Sequence, residues 1–206
     1  MTTAAHGRAS AKREQIVQAA RLLFLHHGFA GTSMDAVVTE AGVSKQTLYR
    51  YFPSKTDLLA AIFATEVMLT EFFPPEHPPL TDRDDLRALL VRVARTVTTR
   101  VMEPENMAVI RLAFGEAFRI PELRESLRDA LPGHLLGAVT GLLSHAHTLG
   151  LIDTPRPELA ARLFIGPVFS FVALDGFLQA ETLAPPSTPD LEALVDLFLA
   201  AVEVRP

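Results

Sequence analysis

The residues whose types and spacing point most clearly to chemistry lie between Gly42 and Lys55: Gly42-Val43-Ser44-Lys45-Gln46-Thr47-Leu48-Tyr49-Arg50-Tyr51-Phe52-Pro53-Ser54-Lys55. Ser44 is a good N-cap for a short helix. Leu48 and Phe52 recur at i and i+4 as one apolar stripe, so Lys45, Gln46, Tyr49 and Arg50 face outward. An amide, two cations and a phenol on one exposed face match base edges and phosphates. A small surface helix in an ordinary bundle would show the same pattern, and this stretch alone divides evenly between the two readings.

The flanking elements must position that helix. A first helix is predicted from about Ala11, with Ile16, Ala19, Ala20, Leu23 and Phe24 on its buried face. His26-His27-Gly28 should end it, glycine serving as terminator. Adjacent histidines on a helix project about 100° apart, which speaks against a shared metal. Thr32 or Ser33 caps a second helix, with Asp35 as the acidic half of a capping box and Met34, Val37, Val38 and Ala41 inside. The turn Ala41-Gly42-Val43 joins it to the polar helix, giving a helix-turn-helix over about 33–52. Pro53 stops the polar helix, Ser54 caps the next and Asp57 completes a second capping box. Lys55 falls in that first turn, where free amides and an ammonium can grip one phosphate. Residues 1–10 read as a flexible arm, from which Arg8, with Lys12 and Arg13 just beyond it, adds phosphate contacts.

Charge distribution tips the balance. The 206-residue chain carries a formal net charge of -5. Yet residues 1–55 hold seven cations against three anions, and all three lysines of the chain. A basic N-terminal segment on an acidic body is the asymmetry expected when one end meets phosphate. There is no cysteine, which excludes a disulfide scaffold and thiolate metal sites. The first residues lack a secretory h-region, and the most apolar run, Leu163 to Leu174, falls short of the roughly 20 residues of a membrane span. A soluble, cytoplasmic protein without a membrane partner is expected.

The run from Ile16 through Leu59 resembles the DNA-binding domain of TetR/AcrR-type transcriptional regulators. The marks are Ala19-Ala20, Leu23-Phe24, Gly28-Phe29, Thr32-Ser33, Ala41-Gly42-Val43-Ser44, Thr47-Leu48-Tyr49, Tyr51-Phe52, Ser54-Lys55 and Leu58-Leu59. The resemblance implies an all-α fold of about nine helices. A three-helix DNA-binding head over 11–56 and a connecting helix over 57–72 would precede an effector-binding and dimerisation body over 73–206. It further implies repression relieved by a small molecule. One position departs: the family often has a small residue between Lys45 and Thr47, and here it is Gln46, able to bond an adenine edge in a bidentate way. Lys45, Gln46 and Thr47 are the base-edge candidates. Thr32, Ser33, Ser44, Tyr49, Tyr51 and Lys55 belong to the DNA-facing set, mainly as phosphate-positioning groups, and Arg50 serves in either role.

In the body, the prolines of 73–79 make a loop, and Thr81-Asp82-Arg83-Asp84 caps a helix whose arginines are expected on a solvated face beside Asp82, Asp84, Asp85 and Glu103. Helices follow from Pro104 and from Pro121, the latter interrupted or kinked at Pro132-Gly133 before it continues to Gly150. A helix from Pro157 is apolar nearly all round, and another from Pro189 carries a wide apolar stripe. Segments 157–180 and 189–203 therefore read as a homodimer interface. Met107, Arg111, Phe114 and Phe118 form one face with a single cation, a candidate wall for a largely apolar effector; His134, His145, Phe164 and Phe169 are weaker candidates. No catalytic motif, metal set or cofactor loop is present in the sequence, so an enzyme has little support. The rival is a helical small-molecule-binding protein without operator recognition.

Overall fold

A computed structural model describes residues 2–68, 80–128, 133–179 and 184–203. The described residues are helical, without strands, in ten α-helices. They are α1 (Thr2–Gly31), α2 (Met34–Glu40), α3 (Lys45–Tyr51), α4 (Lys55–Met68), α5 (Arg83–Val101), α6 (Pro104–Ala117), α7 (Pro121–Arg128), α8 (His134–Thr148), α9 (Pro157–Phe171) and α10 (Thr188–Ala201). The proline segment 73–79, Pro132 and the side chain of Arg8 lie outside what is described.

Two compact units emerge. In the first, α1 to α4 pack with α7 and with α6 from Ala108 onward. Its core holds Ile16, Phe24, Val37, Leu48, Leu58, Leu59, Ile62 and Phe63. Helix α1 begins at Thr2, well before Ala11, so the segment expected to be a flexible arm extends the helix instead. Gly28 breaks it with φ +73 and ψ 167, a backbone region that glycine reaches without penalty, and the chain resumes one further helical turn. The reach of this unit beyond residue 56 has a packing reason. Buried Leu123 and Leu127 of α7 and the Phe114 ring, edge-on to Phe63 at 6.5 Å, serve the apolar face of α4.

The second unit contains α5, α8, α9, α10 and the first turn of α6. Leu86, Leu90, Val93, Val97, Val139, Leu143, Phe164, Val168 and Val195 fill it. Asp82 caps α5 by accepting from the Asp85 amide at 2.9 Å, while Asp85 accepts from Thr81. The arginines of α5 are not merely solvated. Arg87 forks onto Asp196 of α10 at 2.5 and 2.9 Å, and Arg83 reaches the Leu199 carbonyl and Glu203, so the two helices are clamped by planar guanidinium pairs. Of the interrupted or kinked helix expected from Pro121, the described residues show α7 and α8, and the Pro132 break itself lies outside them.

Helix α9 passes through Pro167 and continues as a π-helical turn, Val172–Phe177. There Gly176 packs so closely that a Cβ would stand 2.9 Å from the Met107 Cε. Residues 157–177 thus form one helical stretch that holds an 18-residue window of mean hydropathy 1.5, long and apolar enough by composition to cross a membrane and longer than the apolar run Leu163–Leu174. A core helix of a soluble protein meets the same criterion, and Ala160, Ala161, Phe164, Ile165, Val168 and Val172 are buried in the unit.

Candidate nucleic-acid interface

Helix α3 is too short to hold its own shape and is fixed from outside. Ser44 caps it, accepting from the Thr47 amide at 3.2 Å and pairing with the Thr47 hydroxyl at 2.9 Å. At its other end the Phe52 amide donates to the Leu48 carbonyl. Leu48 and Phe52 are buried, which anchors one side. The preceding turn uses the positive φ of Gly42, +57. Gln15 of α1 locks that turn by donating to the Ala41 carbonyl at 2.8 Å. Sequence reading passed over Gln15; its exposed position on α1 gave no sign of a partner 26 residues away.

The outward face follows. Lys45, Gln46, Tyr49 and Arg50 are exposed, and Thr47 and Tyr51 are half-buried. The Gln46 side chain makes no hydrogen bond to any described residue, so its whole amide is open to a base edge. Arg50 stacks over the Tyr51 ring at 5.0 Å, and Arg13 of α1 stands 5.3 Å over Phe52. Stacked guanidiniums keep their in-plane donors free for phosphate. Lys45 is engaged: its Nζ lies 2.8 Å from Asp35 Oδ1 and 3.0 Å from Oδ2. The Asp35 carboxylate holds the Lys45 ammonium above its usual pKa, through the hydrogen bond first and charge second.

Of the two caps expected for α2, Ser33 takes the role, accepting from the Ala36 amide at 3.1 Å. Thr32, Asp35 and Lys55 are placed differently from the sequence expectation. Thr32 is buried, its hydroxyl donating to the Leu23 and Gly28 carbonyls at 3.1 and 2.9 Å, so it staples the end of α1 rather than meeting phosphate. Asp35 turns to Lys45 instead of closing a box. Lys55 donates to the Phe29 and Thr32 carbonyls at 2.5 and 2.9 Å, with its Nζ 4.4 Å over the Phe29 ring. Two of its three protons are committed to the loop between α1 and α2, leaving one for a phosphate. Around Ser54 the expected box takes a variant form: Ser54 caps the Asp57 amide at 3.1 Å and donates to the Asp57 carboxylate at 2.7 Å.

The effector candidates fall in both units. Met107 is buried in the second unit, while Arg111, half-buried, and Phe114 and Phe118, 40% and 84% exposed, belong to the first. Phe164 is core, tilted against Phe198 at 5.4 Å, and Phe169 is half-buried. His134 and His145 are exposed on α8. The His26 and His27 rings turn toward one another despite the helical angle between them, with Nδ1 atoms 3.4 Å apart. Among the described residues no third metal-type ligand joins them. On α9 and α10, Leu163, Pro167, Phe171, Leu194, Leu197 and Ala201 help line an open apolar groove of about 590 Å³.

A capped, polar, short helix after a glycine turn, exposed on a basic head, is the geometry of a major-groove reader. Comparison with known proteins agrees. Residues 16–62 match the model of bacterial regulatory proteins of the tetR family. Residues 88–203 match that of the AefR-like transcriptional repressor C-terminal domain. The chain belongs to the TetR family. It is 28% identical over 190 residues to an uncharacterized HTH-type transcriptional regulator of Mycobacterium tuberculosis, covering 91% of this chain and 85% of that one. The HTH-type transcriptional regulator RutR of Escherichia coli is 45% identical over 62 residues, 30% of this chain and 29% of RutR. The flavonoid-responsive regulator FrrA shares the fold with a TM-score of 0.74 and 28% identity, over 96% of this chain and all of that one. This TetR-family chain is a DNA-binding transcriptional regulator. Proteins of the family bind operator DNA and small-molecule effectors, usually as dimers.

Proposed function

We propose that this regulator is a cytoplasmic, ligand-responsive repressor that binds a palindromic operator as a homodimer, one α3 in each half-site. The observation that carries the reading is α3 itself: buried Leu48 and Phe52 fix it, and Gln46, Tyr49 and Arg50 stand free of the fold's own hydrogen-bond network. Lys45, Gln46 and Thr47 address base edges; Ser33, Ser44, Tyr49, Tyr51 and the remaining proton of Lys55 position phosphates. The dimer reading is supported by large exposed side chains on α9 and α10, among them Leu163 at 53% and Leu197 at 75%, beside the apolar groove. Such surface is excessive for a free monomer.

The effector is proposed to be largely apolar, with Arg111, the cation on the Met107–Phe114 face of α6, as the residue to test for contact with an anionic group. FrrA is a flavonoid-responsive protein, which makes planar aromatic compounds the first class to try. Ligand would favour a conformer whose two α3 helices no longer match adjacent grooves. The test is a mobility-shift titration of the full chain on DNA flanking its own gene, repeated with flavonoids, aromatic acids and acyl thioesters. Salt-dependent binding relieved by one of these classes supports a ligand-responsive repressor. Ligand binding without any DNA shift would favour the helical carrier instead.

A further inference from the structure

We propose that Asp35 is a specificity-determining residue of the DNA-binding face, holding Lys45 back from non-specific phosphate. The proposal rests on α3 being the DNA-reading helix. Asp35 lies in the first turn of α2 and Lys45 opens α3, so their pair bridges the two helices of the motif. Both side chains are 65% exposed, so the pair adds little to the fold. The α2–α3 geometry already has other fixtures: buried Val37 and Leu48, the Gly42 turn and the Gln15 bond to Ala41. A carboxylate on a surface that must approach a polyanion works against binding unless it discriminates.

The geometry supplies the discrimination. Both Asp35 oxygens lie within hydrogen-bond reach of the Lys45 ammonium, at 2.8 and 3.0 Å. Engaging both occupies two of the three ammonium protons and leaves one. On a random duplex, a phosphate that approaches the third proton meets a cation already neutralised by Asp35 and is repelled by that carboxylate, so little is gained from counterion release. With α3 seated in the groove, the third proton reaches a neutral acceptor such as guanine O6 or N7 without breaking the pair. Asp35 therefore weakens binding to random DNA more than binding to the preferred site.

The experiment measures affinity of the full chain for a short random duplex and for its preferred site across a salt series. Asp35→Asn should tighten random-duplex binding by about three- to tenfold and steepen its log–log salt slope by about 0.9, the value of one added phosphate contact. The preferred site should gain less, so the specificity ratio falls, with an unchanged melting temperature. In a Lys45→Gln background, Asp35→Asn should have no effect on the random-duplex slope, because the restrained cation is gone. Unchanged random-duplex binding in Asp35→Asn would overturn the proposal. So would equal tightening in the Lys45→Gln background, which would mark plain repulsion, or weaker binding, which would mean that Asp35 presents Lys45. Absence of salt-dependent duplex binding by the unaltered chain would remove the DNA-reading assignment of α3 and this proposal together.

Discussion

At the scale of single residues, Gln46 and Lys55 divide the work of the head in a way that substitutions separate. The Gln46 side chain has no internal partner among the described residues. Gln46→Ala should therefore leave the melting temperature unchanged and relax preference at one base position, at a cost of roughly 1–3 kcal/mol on the preferred site. Binding to a library of single-base operator variants reads this directly. Lys55 behaves otherwise. Its bonds to the Phe29 and Thr32 carbonyls tie the start of α4 to the loop before α2. Lys55→Ala should destabilise the fold by about 1–2 kcal/mol in urea unfolding, as well as weakening all DNA sequences alike. The outward set on α3 was legible in the sequence because Leu48 and Phe52 at i and i+4 dictate what remains outside. The inward turn of Lys55 and Thr32 was not. Their partners are backbone carbonyls up to 26 residues away, and no side-chain pattern announces a carbonyl.

At the scale of elements, caps were the most legible feature. Ser33, Ser44, Ser54 and Asp82 each cap a helix within a residue of the expected place, because each satisfies amides that have no partner inside the helix. Clamps between elements were less so. Arg83 and Arg87 have acidic neighbours within their own helix, and no spacing or pattern favours Asp196 and Glu203, more than a hundred residues on. This clamp makes a pH prediction. Arg87 beside Asp196, through its hydrogen bond first, holds that carboxylate below its ordinary value of 3.8. A depressed folded value stabilises at pH above the ordinary range and is lost as pH falls through the lower folded value. Unfolding midpoints in urea should thus decline from about pH 4 downward, and Asp196→Asn should flatten that limb while lowering the midpoint near neutrality. An unaltered acid limb in the variant would detach Asp196 from acid stability.

At the scale of the whole molecule, the chain's own apolar surplus argues for a second copy. The all-round apolar character of residues 157–180 was visible in the sequence, but which side would be left over required the packed unit. Phe164, Ile165 and Val168 face inward, while Leu163 and Leu197 remain 53% and 75% exposed beside a groove of about 590 Å³. A twofold contact would place the same groove residues of both copies against each other, and a stable interface of this kind buries on the order of 1,200–2,000 Å². Charges at its centre would be desolvated without partners. Leu163→Glu with Leu197→Glu should accordingly shift the chain from dimer to monomer in sedimentation velocity at micromolar concentration. Helical content should stay intact, because neither side chain belongs to the core. The same variant should lose most affinity for a two-half-site operator and little for an isolated half-site, since α3 itself is untouched and only the linkage of two readers is lost. A variant that remains dimeric would move the interface off α9 and α10. Loss of half-site binding as well would mean that the helical body stabilises each head and does more than pair them.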